Sequence, residues 1–225
     1  MKMVSTGADG NITEPSAEKL LTDNRPLQIL RLDSSPRYTD SVSRHLTNYL
    51  VARLLREYPE AKVTTRDLAV GLPLPTEAFI DGSLYSMQNP TPAMQAAIQL
   101  SNEMVAELIA ADVVVLGMQL YNWTVPSTFK AYVDQITRLG VTFEYVDGVR
   151  HGLLRARSVY ILFTSGGTSI GSDHDFATPY ARFLWQTLGI QHVEFIDAAG
   201  LLFNAAEIIR KAEAQIDQLE FPVFA

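Results

Sequence analysis

Residues 113–118 read VVVLGM, six consecutive positions without a polar or charged side chain. A strand with one solvated face alternates apolar and polar residues. An unbroken apolar run bounded by polar sequence instead marks a strand buried on both faces, the condition of a parallel sheet covered by helices on each side. The flanking sequence supplies the rest of such a sheet. Strand-like runs at 27–32, 62–68, 159–163 and 192–196 alternate with amphipathic stretches at 41–56, 93–111, 126–138, 178–188 and 205–219. In the first stretch Val42, Leu46, Leu50 and Leu54 recur at helical spacing. In the second, Ile98, Val105, Leu108 and Ile109 form the stripe, and Thr91 before Pro92 marks its start. Five strands alternating with five helices predict right-handed βαβ units, hence an α/β, doubly wound parallel sheet. Residues 72–90, through Pro73, Pro75 and Asp81-Gly82, read as a long connection, and 141–152 as a short excursion.

Composition narrows the class of ligand. The chain has 225 residues, 47% hydrophobic and 19% charged, enough to bury one full α/β core and outside the compositions that stay disordered. Residues 1–26 are polar and end at Pro26, which predicts a flexible extension or an arm on a neighbour, with one domain over 27–225. Eighteen Lys and Arg against 25 Asp and Glu give a net charge of −7, which argues against nucleic acid or an anionic membrane surface and for a small molecule or protein as partner. Zero cysteines remove disulfides and thiolate chemistry, and His45, His151, His174 and His192 lack ligand spacing, so no metal is expected. No run reaches the roughly 18 apolar residues that span a bilayer, so a cytoplasmic protein is expected.

In open α/β sheets ligands bind beyond the carboxyl ends of the strands, where the strand order reverses. In the order 2-1-3-4-5 the loops after strands 1, 3 and 4 converge. The first, Asp33-Ser34-Ser35-Pro36-Arg37-Tyr38-Thr39-Asp40-Ser41-Val42-Ser43, is rich in hydroxyls and ends at a helix start, which suits a phosphate; capping by Asp40 or Ser41 alone is the plainer alternative. The second contains Leu120, Tyr121, Asn122 and Trp123, two aromatics and an amide that suit a flat heteroaromatic ring, or else pack in the core. The third contains Thr164, Ser165, Gly166 and Gly167, where main-chain N–H groups can approach a ligand closely, or where the chain simply turns. Ser172 stands where a triphosphate-binding loop requires lysine, and no G-x-S-x-G elbow occurs. His174 between Asp173 and Asp175 reads as a charged loop tip.

Taken together these residues resemble the FMN-dependent NADH azoreductases, also described as NADH:quinone oxidoreductases, a flavodoxin-like family. The resemblance rests on Ser34-Ser35 with Ser41-Val42-Ser43, on Tyr121-Asn122-Trp123 leading into Pro126-Ser127-Thr128-Phe129-Lys130, on Gly140-Val141-Thr142-Phe143-Glu144-Tyr145, and on Thr164-Ser165-Gly166-Gly167. It implies one FMN per subunit, its phosphate on Ser35, Ser41, Val42 and Ser43. Leu120, Tyr121, Asn122 and Trp123 would lie along the isoalloxazine, Thr164 to Gly167 at its pyrimidine end, and Tyr145 in the wall of the substrate pocket. It further implies NADH as donor, quinones and aromatic azo compounds as acceptors, a homodimer, and no catalytic side chain, because flavin N5 carries the hydride chemistry. Three positions depart from the family pattern: Leu120 for Met, Trp123 for Phe, and Ser165 for an Arg, which leaves main-chain donors alone at the flavin's N1/O2 end. Two other functions fit the same fold, a one-electron carrier of the flavodoxin type and a cofactor-free interaction domain.

Overall fold

A computed structural model describes residues 25–84 and 90–221; the predicted extension lies outside them except for Arg25 and Pro26, as do positions 85–89 of the long connection and 222–225 of the predicted domain. The elements follow in the order β1 (Gln28–Asp33), α1 (Val42–Glu57), β2 (Lys62–Asp67), α2 (Glu77–Leu84), α3 (Pro92–Ala110), β3 (Val113–Gln119), α4 (Ser127–Ile136), β4 (Phe143–Val146), β5 (Val149–Gly152), β6 (Ser158–Ser165), α5 (Ala177–Thr187), β7 (His192–Ala199) and α6 (Leu201–Asp217). Five strands form one sheet in the order β2-β1-β3-β6-β7, parallel throughout. This is the expected 2-1-3-4-5 order.

Every residue of β3 and β6 is buried. Because strand side chains alternate between faces, each central strand feeds two cores. Val114, Leu116, Ile161 and Phe163 pack with Met104, Phe129, Tyr132 and Trp185 of α3, α4 and α5. Val113, Val115, Tyr160 and Leu162 pack on the opposite face with Leu46, Leu50 and Leu54 of α1 and Ile216 of α6. Thr91 caps α3, its hydroxyl accepting from the Met94 amide at 3.3 Å, with Pro92 in the first helical turn.

The structure differs from the sequence reading at four places. Part of the long connection is helix α2, begun where the Thr76 hydroxyl accepts from the Phe79 amide at 3.2 Å. Gly82, taken as a turn signal, lies inside it, because a Cβ there would come within 2.9 Å of Ile98 on α3. Among the described residues the α-helices therefore number six. The excursion at 141–152 is an antiparallel hairpin, β4 against β5, turned by Asp147 and Gly148 at φ 52° and 79°, the primed turn that Asp-Gly favours. Ile109 is 55% exposed and leaves the α3 stripe, while the inward position is filled by Ser101, fully buried and donating to the Gln135 carbonyl at 2.6 Å. Finally, an added turn from Leu201 precedes a kink at the non-helical Asn204, whose side chain accepts from the Glu207 amide at 3.2 Å and opens the main helix at the expected Ala205.

Candidate active site

The loops after β1, β3 and β6 meet at the carboxyl edge of the sheet around a crevice of about 330 Å³. The first is held from beneath by charge. Asp33, the last residue of β1, is buried and stands in register with Asp67 at the end of β2. Two neighbouring carboxylates require cations. Arg31 lies 2.7 Å and Arg44 3.7 Å from Asp33, and Thr47 donates to it at 2.9 Å. Arg44 also donates to Asp67 and to the Ser35 carbonyl, both at 2.7 Å, and lies 4.5 Å over the Tyr38 ring. Burial works against the Arg44 charge, but the hydrogen bond to Asp67 and the attraction of Asp67 and Asp33 outweigh it and hold its pKa above the usual value. For Asp67 burial likewise opposes ionisation, and the Arg44 and Ala69 hydrogen bonds prevail, holding its carboxyl below the usual range.

This clamp sets the chain entering α1. Ser41 is the N-cap, its hydroxyl 3.5 Å from the Arg44 amide and 3.3 Å from the Ser43 hydroxyl. The Val42 and Ser43 amides, in the first turn, have no intrahelical carbonyl to bond. Together with Ser35 and Arg37 these residues form one end of the crevice. Below them is a buried polar floor. Gln119 Nε2 donates to Ser43 Oγ, and Ser34 Oγ donates to the Gly117 carbonyl at 2.7 Å while lying 3.2 Å from Gln119 Oε1. Gln119 and Arg44 carry no role in the sequence reading. For Arg44 the available signal was an arginine on α1 facing two acidic strand ends.

Leu120 and Tyr121 form the middle of the crevice. Tyr121 and Thr124 exchange backbone hydrogen bonds of 3.0 and 3.1 Å around Asn122 and Trp123, whose φ angles are 48° and 68°. Left-handed backbone at a tryptophan costs on the order of 1–3 kcal/mol and persists only where its surroundings impose it. Tyr121 is 40% and Trp123 59% exposed, so neither is core packing. Asn122 and Tyr121 instead face a second, adjoining hollow.

Thr164, Ser165 and Gly166 close the other end, with Leu201 and Leu202. Two exposed side chains of α6 lie against the glycines here. A Cβ on Gly166 would come within 2.9 Å of the Leu202 side chain, and one on Gly167 within 3.2 Å of the Phe203 ring. The Leu202 amide donates to the Gly166 carbonyl at 3.0 Å, so this is a pinned loop and not a free turn. Thus nine of the expected residues share the crevice: Ser35, Ser41, Val42 and Ser43, then Leu120 and Tyr121, then Thr164 to Gly166. Trp123 and Gly167 stand beside it. Tyr145 is apart from both cavities, 58% exposed on β4 and in edge contact with Phe143 at 5.8 Å.

The 173–175 loop tip divides. Asp173 and His174 are exposed, but Asp175 is buried and is no surface charge. Its carboxylate accepts from the amides of Gly171, Ala177 and Thr178 at 2.9, 3.1 and 2.9 Å, and from the Thr178 hydroxyl. Among the described residues no helix is long and apolar enough to cross a membrane.

A model of the flavodoxin-like fold family matches residues 28–219. The chain is 41% identical over 191 residues to FMN-dependent NADH:quinone oxidoreductase 1 of Jannaschia sp., spanning 85% of this chain and 97% of that one. It is 38% identical over 189 residues to the protein of the same name from Hahella chejuensis, spanning 84% and 93%. The crystal structure of an azoreductase from Bacillus anthracis superposes with a TM-score of 0.78 at 23% identity, over 84% of this chain and 96% of that one, a likeness of fold. The chain belongs to the FMN-dependent NADH:quinone oxidoreductase family of the flavodoxin-like fold.

Burial opposes the Asp175 charge, and the Thr178, Gly171 and Ala177 donors outweigh it, so its folded pKa lies below the ordinary value. A depressed carboxylate contributes stability that is complete above the unfolded pKa of about 3.9 and disappears as pH falls toward the folded value. Asp175→Asn keeps an acceptor oxygen but loses the charge, and is therefore expected to cost about 1 kcal/mol at neutral pH, the difference between hydrogen bonds to charged and to neutral groups. The difference from wild type should shrink below about pH 4, read by urea denaturation across pH. A difference that is constant with pH contradicts the assignment.

Proposed function

We propose that this protein is an FMN-dependent NADH oxidoreductase that reduces quinones and aromatic azo compounds. The observation that carries the reading is the convergence of three loops on one crevice at the reversal of strand order, each loop with a different chemistry. The donor set fits FMN. At one end are the Ser41 and Ser43 hydroxyls, the first-turn amides of Val42 and Ser43, and Ser35, which match a phosphate at a helix N-terminus. In the middle, Leu120, Tyr121, Asn122 and Trp123 offer apolar and aromatic surface with one amide to an isoalloxazine. At the far end Thr164, Ser165, Gly166 and Gly167 offer main-chain and hydroxyl groups to its pyrimidine edge. When bound, FMN supplies two-electron hydride chemistry, which needs no acid or base from the protein.

The chain's own residues bind, orient and exclude water. The Asp33-Arg44-Asp67 clamp holds the phosphate end before any ligand arrives, so little ordering is required on binding. Donor and acceptor are both flat rings seeking the same face near Tyr121, and a shared face admits one at a time. Tyr121, Trp123 and Phe176 are exposed around the site, an apolar rim that suits a second copy of the chain. In such a homodimer the exposed Tyr145 is free to complete the substrate wall.

Flavin fluorescence titrated with protein should show FMN binding, and Ser41→Ala and Ser43→Ala should each weaken it by roughly 1.5–3 kcal/mol, the range for hydrogen bonds to a charged group. Loss of less than a few tenths of a kcal/mol in both places the phosphate elsewhere. Initial rates with NADH and a quinone should give parallel double-reciprocal plots; intersecting lines demand a ternary complex and defeat the shared face. Sedimentation velocity should show a species of twice the 24.9 kDa chain mass, and a monomer alone at working concentration rules out the dimer.

A further inference from the structure

Beside the crevice, and sharing Tyr121 with it, lies a hollow of about 610 Å³ walled by Tyr121, Asn122, Val125, Ser127, Lys130 and Tyr180. That volume is in the range of small-molecule sites. Its walls combine the rings of Tyr121 and Tyr180 and the Val125 side chain with polar groups at one side. Lys130 is the single charged residue among those that line it. The lysine forms an i,i+4 pair with Asp134, Nζ to Oδ1 at 2.5 Å, and its side chain is 50% exposed. Such exposed pairs are weak in water, and an ammonium has three donors, so Asp134 leaves Lys130 able to bond a further anion. Tyr180 stands within the field of both charges, while burial raises its phenol pKa and keeps it a neutral donor.

We propose that this hollow receives an anionic substituent, a sulfonate or carboxylate, on the aromatic acceptor whose reacting ring lies in the adjoining crevice, with Lys130 as the residue that sets the preference. The inference rests on the proposed function and names the acceptor class within it. The overall charge of −7 repels anions at long range, so any preference for an anionic acceptor must come from a local cation. Lys130 supplies it in the wall of the hollow, whose lining includes Asn122 and shares Tyr121 with the crevice. An acceptor stacked near Tyr121 can extend into the hollow through that shared wall, where an uncharged substituent gains only the apolar surface and an anionic one gains the ammonium as well.

The test uses the full chain with FMN supplied, in two arms. In the first, kcat/KM is compared for 1,4-naphthoquinone and its 2-sulfonate at low ionic strength. Lys130→Met should lower the sulfonate-to-quinone ratio by about tenfold, the lower range for a hydrogen bond to a charged group. Asp134→Asn, which releases Lys130 from its partner, should raise the ratio. In the second arm, naphthalene-2-sulfonate, which accepts no electrons, is titrated against the fluorescence of Trp123, the exposed member of the chain's two tryptophans. Binding should weaken in Lys130→Met and tighten in Asp134→Asn. A ratio unmoved by both variants, or a loss confined to the KM for NADH, overturns the acceptor assignment. Binding of naphthalene-2-sulfonate that follows the two variants in a protein that oxidises no NADH rejects the proposed function and with it the acceptor role, leaving an anion site. Loss of the binding trend with NADH oxidation intact rejects this inference alone.

Discussion

The crevice depends on one electrostatic constraint, the pair of carboxylates that the sheet register places side by side at the ends of β1 and β2. Asp33 is 2% exposed, and an unpaired buried charge is among the costliest things a fold can contain. Arg31 satisfies it from its own strand and Arg44 from α1. Arg44 also bonds the Ser35 carbonyl, so the need to neutralise Asp33 and Asp67 fixes where the loop runs and where α1 begins. The helix start is thereby aimed at the crevice by a cation that is itself turned away from it.

A second constraint acts on backbone geometry. Of the four non-glycine residues with left-handed φ among those described, Asp147 turns the hairpin, while Asp40, Asn122 and Trp123 all border the site. Asp and Asn tolerate this region, but tryptophan does not gain from it. Its turn is closed by the Tyr121 and Thr124 backbone bonds and fastened by the Phe176 amide, which donates to the Trp123 carbonyl at 3.1 Å. The ring is held out in solvent at an unfavourable φ by bonds that make no use of the side chain. The sequence shows the indole; only the tertiary bonds show that it is displayed.

What was legible follows from the range of the signals. The unbroken apolar run of β3, the helical stripes and the cap at Thr91 are local patterns, and they give the alternating strands and helices of a parallel sheet; the order 2-1-3-4-5 and nine of the crevice residues rest instead on the composition of three loops and the resemblance to a flavodoxin-like family. Gly82 is ambiguous in sequence because glycine serves turns and close helix contacts alike, and the neighbour that decides, Ile98, is sixteen residues away. Ile109 was misplaced because Ser101, a polar residue, fills the inward position through a bond to Gln135 on another helix. Gln119 and Arg44 carry no local signal for the same reason: each acts through partners brought together by the fold. Asp147-Gly148 carries a local hairpin signal within the stretch 141–152 that reads as an excursion.

The buried floor explains how one crevice serves two unlike parts of a ligand. Gln119 bonds Ser43, Ser34 bonds Gly117, and Thr128 donates to the Ser34 carbonyl at 2.8 Å, so the polar groups beneath the site are satisfied by one another. A neutral, satisfied floor makes no demand on the ligand and adds no competing charge. Attraction for an anion is then concentrated at the start of α1, where amides and hydroxyls face outward, while the segment from Leu120 to Tyr121 presents apolar surface. The division between a charged end and a flat, uncharged middle comes from the strand reversal itself. The reversal leaves the first turn of α1 and the end of β3 adjoining, with one glutamine able to bridge them.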